Sequence, residues 1–397
     1  MKNIITPLLL LLTCLTSTAQ QSFTWSRVAD YPYQAWGMTS CNLNGALYTF
    51  SNCGTSNNTL YRYTAANDKW DTLAKLPGAT FCNTAMAGVG GKIYLLGNTI
   101  MHEYDVTTDT WSNSVSLPAG LKKDGASMIV YGNDIYIAGG GTSTTVNFFK
   151  FSTNTQAFSQ LTPMSTPREN AQVALLADKI YVIAGRRSGA SLNTAEVYDI
   201  ATDTWSSISL TFQKRYFGFA IADKQYIYIM GGETGVNSFK YKNIELYDPA
   251  NNTVTTLSNT NDMNVEHTAY ALGISGTKLV AAAGFTNTPS NNITTEYCES
   301  TEFSNAVNIL QVKKQSVDFN IFPNPATSKL FIKPEQHSNI VAIRIYNTAG
   351  QLIKNVENLH NQEQVAVNIS MLSDGVYFIK AFNASGFCQQ RTFLINR

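Results

Sequence analysis

One phrase recurs six times along the chain. The segments are GALYTF (45–50), GKIYLLG (91–97), NDIYIAGG (133–140), DKIYVIAG (178–185), QYIYIMGG (225–232) and TKLVAAAG (277–284). With Leu47, Ile93, Ile135, Ile180, Ile227 and Leu279 as markers, the spacings are 46, 42, 45, 47 and 52 residues. A fixed period of this size means stacked copies of one supersecondary unit. Four markers are followed by an aromatic pair, Tyr63 with Trp70, Tyr104 with Trp111, Phe151 with Phe158 and Tyr198 with Trp205, and in the fifth copy Tyr247 is followed by Val254 at the same distance. Turn residues such as Asn44-Gly45 and Gly90-Gly91 divide each unit into about four short strands. A single four-stranded sheet cannot bury both faces. A ring of radially stacked sheets can, and it leaves only short edges.

Ring closure is written at the two ends. The sixth unit has Tyr297 but no aromatic partner after it, and Trp25 stands alone before the first unit. Residues 23–28 are therefore expected to supply the outer strand of the blade built from 265–298. The hydrophobic strand, the double glycine and the spaced Tyr and Trp resemble the Kelch repeat family over residues 25–298. This resemblance implies an all-β fold, a six-bladed Kelch-type β-propeller spanning 20–298. No Trp-Asp or Gly-His signature recurs in step, which disfavours WD repeats.

Residues 1–19 carry a charged start, an apolar run from Ile4 to Leu12 and Ser17-Thr18-Ala19, the pattern of a cleaved signal peptide. The run is too short to span a bilayer, and no transmembrane segment is expected elsewhere. Charged residues are only 14% of the chain and the net charge is +1. No basic run exists, so no nucleic-acid partner is expected. After Cys14 five cysteines remain, with no CxxC pair, which argues against a disulfide scaffold or zinc site. Cys53 and Cys82 fall on one rim in adjacent blades. Two free thiols are the default there, and a disulfide is the alternative.

Beyond a polar linker at 299–317 the period breaks. Short alternating strands over 318–397, punctuated by Pro, Asn and Gly, read as an Ig-like β-sandwich. Phe322-Pro323-Asn324-Pro325, the turn Tyr346-Asn347-Thr348-Ala349-Gly350-Gln351, the run Gly375-Val376-Tyr377-Phe378 and a basic last strand resemble the C-terminal sorting domain of the type IX secretion system of Bacteroidetes. That resemblance implies export by the type IX machinery, through the periplasm, to the medium or the outer-membrane surface. An Ig-like adhesive module is the alternative.

Common catalytic strings are absent, and the four histidines do not cluster, so no metal and no cofactor are expected. His102 reads as a strand-surface residue. Aligning the units places Lys123, Arg168, Arg215 and His267 in one ring at the propeller mouth, followed by Trp36, Glu169 and Tyr216 in the next. Arg186 and Glu233 lie at the ends of second strands. Arginines in a concave mouth can clamp carboxylates, and Trp36, Phe81 and Tyr216 can stack on sugars. The alternative for Arg168 and Arg215 is architectural: tying blades together through carbonyls. The expected function is a binding module for a glycan or protein ligand at the mouth. A sugar-modifying enzyme is the second reading, because six-bladed Kelch proteins include sialic acid mutarotases. Glu233 or Glu169 would then carry the proton, although Phe239 stands where that family has an arginine. A structural adhesin is the third.

Overall fold

The computed structural model describes residues 23–51, 53, 57–78, 82–141, 145–235, 239–286, 293–299, 319–334, 340–348, 351–357, 364–382 and 388–397. The expected signal peptide, almost all of the expected linker and the Phe81 ring lie outside the described residues.

Each repeat unit is one antiparallel sheet, and six such sheets form the ring among the described residues. Blade one runs Thr39–Leu43, Ala46–Phe50, Thr59–Thr64, Lys69–Lys75, and blade two Met86–Val89, Lys92–Leu96, Ile100–Asp105, Thr110–Ser116. Blade three is Ala126–Tyr131, Asp134–Gly139, Phe148–Ser152, Ala157–Gln160, and blade four Gln172–Leu176, Lys179–Ile183, Ala195–Asp199, Thr204–Ile208. Blade five is Tyr216–Ala222, Ile227–Thr234, Ile244–Asp248, Thr253–Thr256. Blade six joins Ala271–Ser275, Lys278–Ala282 and Thr295–Glu299 to Trp25–Val28. The last strand therefore comes from the opposite end of the propeller, as the orphan Trp25 predicts.

Second strands are buried on both faces, because each is sandwiched between the neighbouring blades; all five residues of Ala46–Phe50 are buried. Outer strands such as Lys69–Lys75 are exposed or half-buried along their whole length. All six marker residues are fully buried. Each marker pairs across the sheet with the inner member of the aromatic pair: Leu47 with Tyr63, Ile93 with Tyr104, Ile135 with Phe151, Ile180 with Tyr198, Ile227 with Tyr247. In blade six the partner of Leu279 is Cys298, which also pairs with Trp25. This corrects the assignment of Tyr297, which points to the other face, where Lys278 lies over its ring. A buried thiol substitutes for the tyrosine, and Trp25 completes the pair.

The glycines close the seams. Gly140, Gly185, Gly232 and Gly284 donate their N–H groups to the carbonyls of Arg168, Arg215, His267 and Ala35, each in the next blade, at 3.2, 2.8, 2.7 and 2.9 Å. All four have φ between 84° and 93°. A Cβ at Gly232 would stand 2.7 Å from the Tyr216 carbonyl oxygen, and one at Gly284 2.6 Å from that of Thr268. Only glycine meets both requirements.

A second contact repeats at the outer edge. Asp68, Asp109 and Asp203 sit at positive φ in the turn before the outer strand and accept from the Tyr63, Tyr104 and Tyr198 hydroxyls. Each also accepts the N–H of one residue of the preceding blade's edge, Ala29, Ala74 or Thr162. The carbonyl of that same residue accepts from the indole of Trp70, Trp111 or Trp205. The Asp-to-Trp turn thus grips one residue of the neighbouring blade by both its N–H and its C=O.

The C-terminal region forms a three-stranded sheet (Phe319–Phe322, Lys329–Pro334, Val365–Asn368) and a four-stranded sheet ordered Leu352–Glu357, Ala342–Tyr346, Gly375–Phe382, Cys388–Ile395. Leu330, Ile332 and Val367 from the first meet Ile343, Ile345, Ile379 and Phe393 from the second in one core. Asn324 of the Phe-Pro-Asn-Pro segment covers the open edge of the last strand: its Oδ1 accepts from Leu394 N–H at 2.9 Å and its Nδ2 donates to Thr392 O at 3.4 Å. Ala326 N–H continues this cover by donating to Leu394 O. Unpaired edge groups are otherwise a template for association.

Deleting residues 23–28 should lower the melting temperature and broaden unfolding, because blade six loses its outer strand and the Trp25 ring leaves its core. A calorimetric transition as sharp and as high as that of the intact chain would refute closure by this strand.

Candidate functional site

The mouth is the face where first strands begin and second strands end. Its ring of aligned residues proves to be mostly internal. Arg168 and Arg215 are fully buried. Arg168 Nη1 donates to Ala184 O at 2.7 Å and Thr194 O at 2.9 Å, and Nη2 pairs with Glu196 at 2.9 Å. Arg215 donates to Gly231 O at 2.8 Å and pairs with Glu245 at 2.9 Å. His267 repeats the pattern: Nδ1 donates to Ala283 O, and Nε2 faces Glu296 at 3.2 Å. Each carboxylate then accepts backbone N–H groups of the loop entering its own blade: Ser165 and Thr166 on Glu196, Gln213 on Glu245, Asn264 and Val265 on Glu296. These are latches that tie the entry loop to the second and third strands. The rim role expected for Arg168, Arg215 and His267 is corrected accordingly, since none presents a cation to the mouth. Alignment fixes position around a ring but not depth.

The latch carboxylates were missed by sequence reasoning, although a signal exists. Glu196 and Glu245 stand two residues before Tyr198 and Tyr247, and Glu296 two before Cys298. The same slot holds Tyr61 in blade one, His102 in blade two and Phe149 in blade three. His102 is therefore buried at 8% exposure, not a surface residue. Burial raises the Glu196 pKa, but hydrogen bonds from Ser165 and Arg168 outweigh it and hold the carboxyl below the usual range.

Between blades one and two Cys53 and Cys82 form a disulfide, with Cα atoms 4.8 Å apart, which corrects the default of two free thiols. Trp36 lies beside this bridge, since Gly37 packs against both sulfurs. The half-buried Trp36 ring stacks on Phe285 of blade six, centroids 5.0 Å apart and planes 28° apart. Neither ring belongs to a core cluster among the described residues.

Glu169, Arg186, Tyr216 and Glu233 converge on blades four and five. Glu169 pairs with Arg186 at 2.8 Å, and the Arg186 guanidinium lies 5.0 Å over the Tyr216 ring. Tyr216 pairs across its sheet with Glu233, and burial together with that carboxylate pushes its hydroxyl up to about 12. Lys123 is buried and spans from Cys82 O to the exposed Asp124. Two short hairpins rise here, Arg186–Arg187 with Ala190–Ser191 and the end of Ile227–Thr234 with Phe239–Lys240, joined by Gly235 N–H to Ser191 Oγ. Below the rim the first strands of all six blades enclose a channel of about 220 Å³. Its lining, which includes Met38, Asn42, Met86, Gln172, Phe219 and Tyr270, contains no Asp, Glu, Lys, Arg or His among the described residues. No cluster suited to a metal ion occurs among the described residues, and no helix there is long and apolar enough to cross a membrane.

This six-bladed ring is the Kelch architecture, and comparison with known proteins agrees. A family profile described as the KLHDC2/KLHL20/DRC7 Kelch-repeats domain matches residues 78–284, and the secretion system C-terminal sorting domain matches 320–396. The chain belongs to the Kelch-repeat family and ends in a type IX sorting domain, which supports secretion or attachment at the cell surface. Similar curated proteins are Kelch-like protein terF of Aspergillus terreus, 25% identical over 49% of this chain and 48% of its own length, and Kelch-like protein 25 of Xenopus tropicalis, 23% identical over 47% and 34%. The chain therefore spans less than half the length of either relative. A solved structure titled "Structure of YjhT" shares the fold with TM-score 0.59 at 16% identity, covering 68% of this chain and 96% of that one.

Replacing Arg168 by Ala strands the buried Glu196 carboxylate and should cost about 3–5 kcal/mol in urea unfolding. A loss below about 1 kcal/mol, the scale of an exposed pair, would refute the latch. Because the Glu196 pKa is depressed in the folded chain, its contribution is full above the unfolded carboxyl value near about 4.3 and disappears as pH falls through the lower folded value. The stability gap between the parent and Glu196→Gln should be constant from pH 7 to about 5 and close in acid. Reducing Cys53–Cys82, which closes a loop of sequence separation 29, should lower stability by about 3 kcal/mol. An unchanged melting temperature in reductant, with reduction verified by mass, would oppose this.

Proposed function

We propose that this chain is a non-catalytic binding module, displayed outside the cell by its sorting domain, that takes a carbohydrate at the propeller mouth. The N-terminal 1–19 leader serves as the signal peptide for passage through the periplasm. The observation that carries the binding reading is the Trp36–Phe285 stack: two half-buried rings, outside the core clusters, with Trp36 two residues before the channel-lining Met38. Flat aromatic faces next to a neutral, polar-and-apolar channel suit a sugar ring, which offers C–H groups on its face and hydroxyls at its edge. A protein ligand at the same mouth is the other occupant the site would accept.

Sugar-modifying chemistry of the sialic acid mutarotase type would need Glu169 or Glu233 to transfer a proton. Glu169 already holds Arg186, and Glu233 holds the Tyr216 hydroxyl. Such partners favour positioning over proton transfer.

A glycan array probed with the labelled chain is the test. A hit should weaken about tenfold or more, roughly 1.4 kcal/mol, on Trp36→Ala, with the melting temperature nearly unchanged. Accelerated anomer exchange in a bound sugar, abolished by Glu169→Gln, would replace this reading with the enzymatic one. Binding of proteins alone across the array and a lysate would replace the carbohydrate.

A further inference from the structure

The outer face of the C-terminal four-stranded sheet is an apolar and basic surface. Along Gly375–Phe382 the residues Ile379 and Ala381 point into the sandwich core, with Tyr377 packed against it. Val376, Phe378, Lys380 and Phe382 therefore face outward. Val376 pairs across the sheet with Leu394, Phe378 with Tyr346, and Tyr346 with Leu352. Val376, Leu394 and Leu352 are 43%, 38% and 48% exposed, which is unusual for aliphatic side chains gathered on one sheet face.

The cations on this face lie on its rings. Lys380 Nζ is 5.4 Å from the Tyr346 centroid, and Arg344 is 4.6 Å from that of Phe382. Neither has a carboxylate partner among the described residues. Over residues 319–397 Lys and Arg outnumber Asp and Glu seven to four, in a chain whose total charge is only +1. The excess of positive charge therefore belongs to the tail.

We propose that this face docks the tail onto an acidic protein surface of the export machinery, with Val376, Phe378, Leu352 and Leu394 as the apolar centre and Arg344 and Lys380 as the charged border. Charge complementarity selects the occupant: two cations with no carboxylate partner among the described residues, beside a desolvatable apolar patch, match carboxylates around an apolar centre. Lysine and arginine held over rings are preorganised, so little side-chain freedom is lost on binding.

The test uses the full chain in a bacterium with type IX export, measuring the fraction released or displayed. Arg344→Glu with Lys380→Glu should lower export by about tenfold or more, since like charges then face the acidic partner. Val376→Asp with Leu394→Asp should do the same. Lys333→Glu, on the other sheet, should leave export unchanged. Folding of each variant is verified by its melting temperature, and Val376→Thr provides a mild variant that keeps the strand. Normal export of folded Arg344→Glu/Lys380→Glu would overturn the proposal. So would a loss of export equally large for Lys333→Glu, because general positive charge would then be the signal. A change in oligomeric state with export intact would assign the face to self-association instead.

Discussion

The seam between blades is the constraint on which the propeller depends. One N–H from the glycine after a second strand reaches the carbonyl of the residue that opens the mouth of the next blade, at four junctions among the described residues. The bond requires a left-handed backbone with no side chain, because a Cβ would strike a strand carbonyl. Glycine at that position is thus set by its own blade, whose first strand leaves no room for a Cβ, while the bond its N–H makes reaches the next blade. The first position of the glycine pair tolerates alanine, as Ala184 and Ala283 show at φ of 53° and 57°. This explains why only some units keep both glycines.

The ring is not uniform. Blades four and five hold their entry loops with buried ion pairs and blade six with the buried His267–Glu296 contact, while blades one, two and three place a tyrosine, a histidine or a phenylalanine in the same slot. In blade one the entry-loop Tyr31 and Tyr33 pack on Tyr61 instead. The junction of blades one and two carries the covalent bridge. Directional ion pairs with full desolvation fix geometry more than they add stability, since a well-packed apolar slot serves as well. The aromatic half and the charged half are two solutions to one problem of anchoring a loop, and the disulfide suits a chain bound for an oxidising compartment.

Most of the architecture was legible in the sequence because it follows from periodic burial. Leu47, Ile93, Ile135, Ile180, Ile227 and Leu279 define the blades, and Trp25 defines closure. The sixth aromatic slot was misread by one residue because Cys298 carries no aromatic signal, and Tyr297 beside it does. The mouth was less legible. In a chain with 14% charged residues, cations at repeated positions suggested a ligand site, yet Arg168 and Arg215 have partners spaced about thirty residues away at Glu196 and Glu245. A cation's role is set by whether a carboxylate shares its slot, and that slot is visible only once the strands are paired. Cys53 and Cys82 show the same limit: their spacing placed them on one rim, but only the backbone geometry brings them into bonding range.

The latches also constrain where function can reside. The Arg168 guanidinium, whose two terminal nitrogens are held by two carbonyls and a carboxylate, cannot reorganise for a ligand without leaving a buried charge unpaired, at about 3–5 kcal/mol. A ligand taken up as proposed would therefore meet groups that the ring does not need for its own support. At the mouth those are the Trp36–Phe285 rings, the exposed Arg187 and the hairpins of blades four and five, which stand above the latched strands. The rigid ring and the adaptable rim are thus separate sets of residues, so the rim can change its chemistry while the seam glycines and latch carboxylates stay fixed.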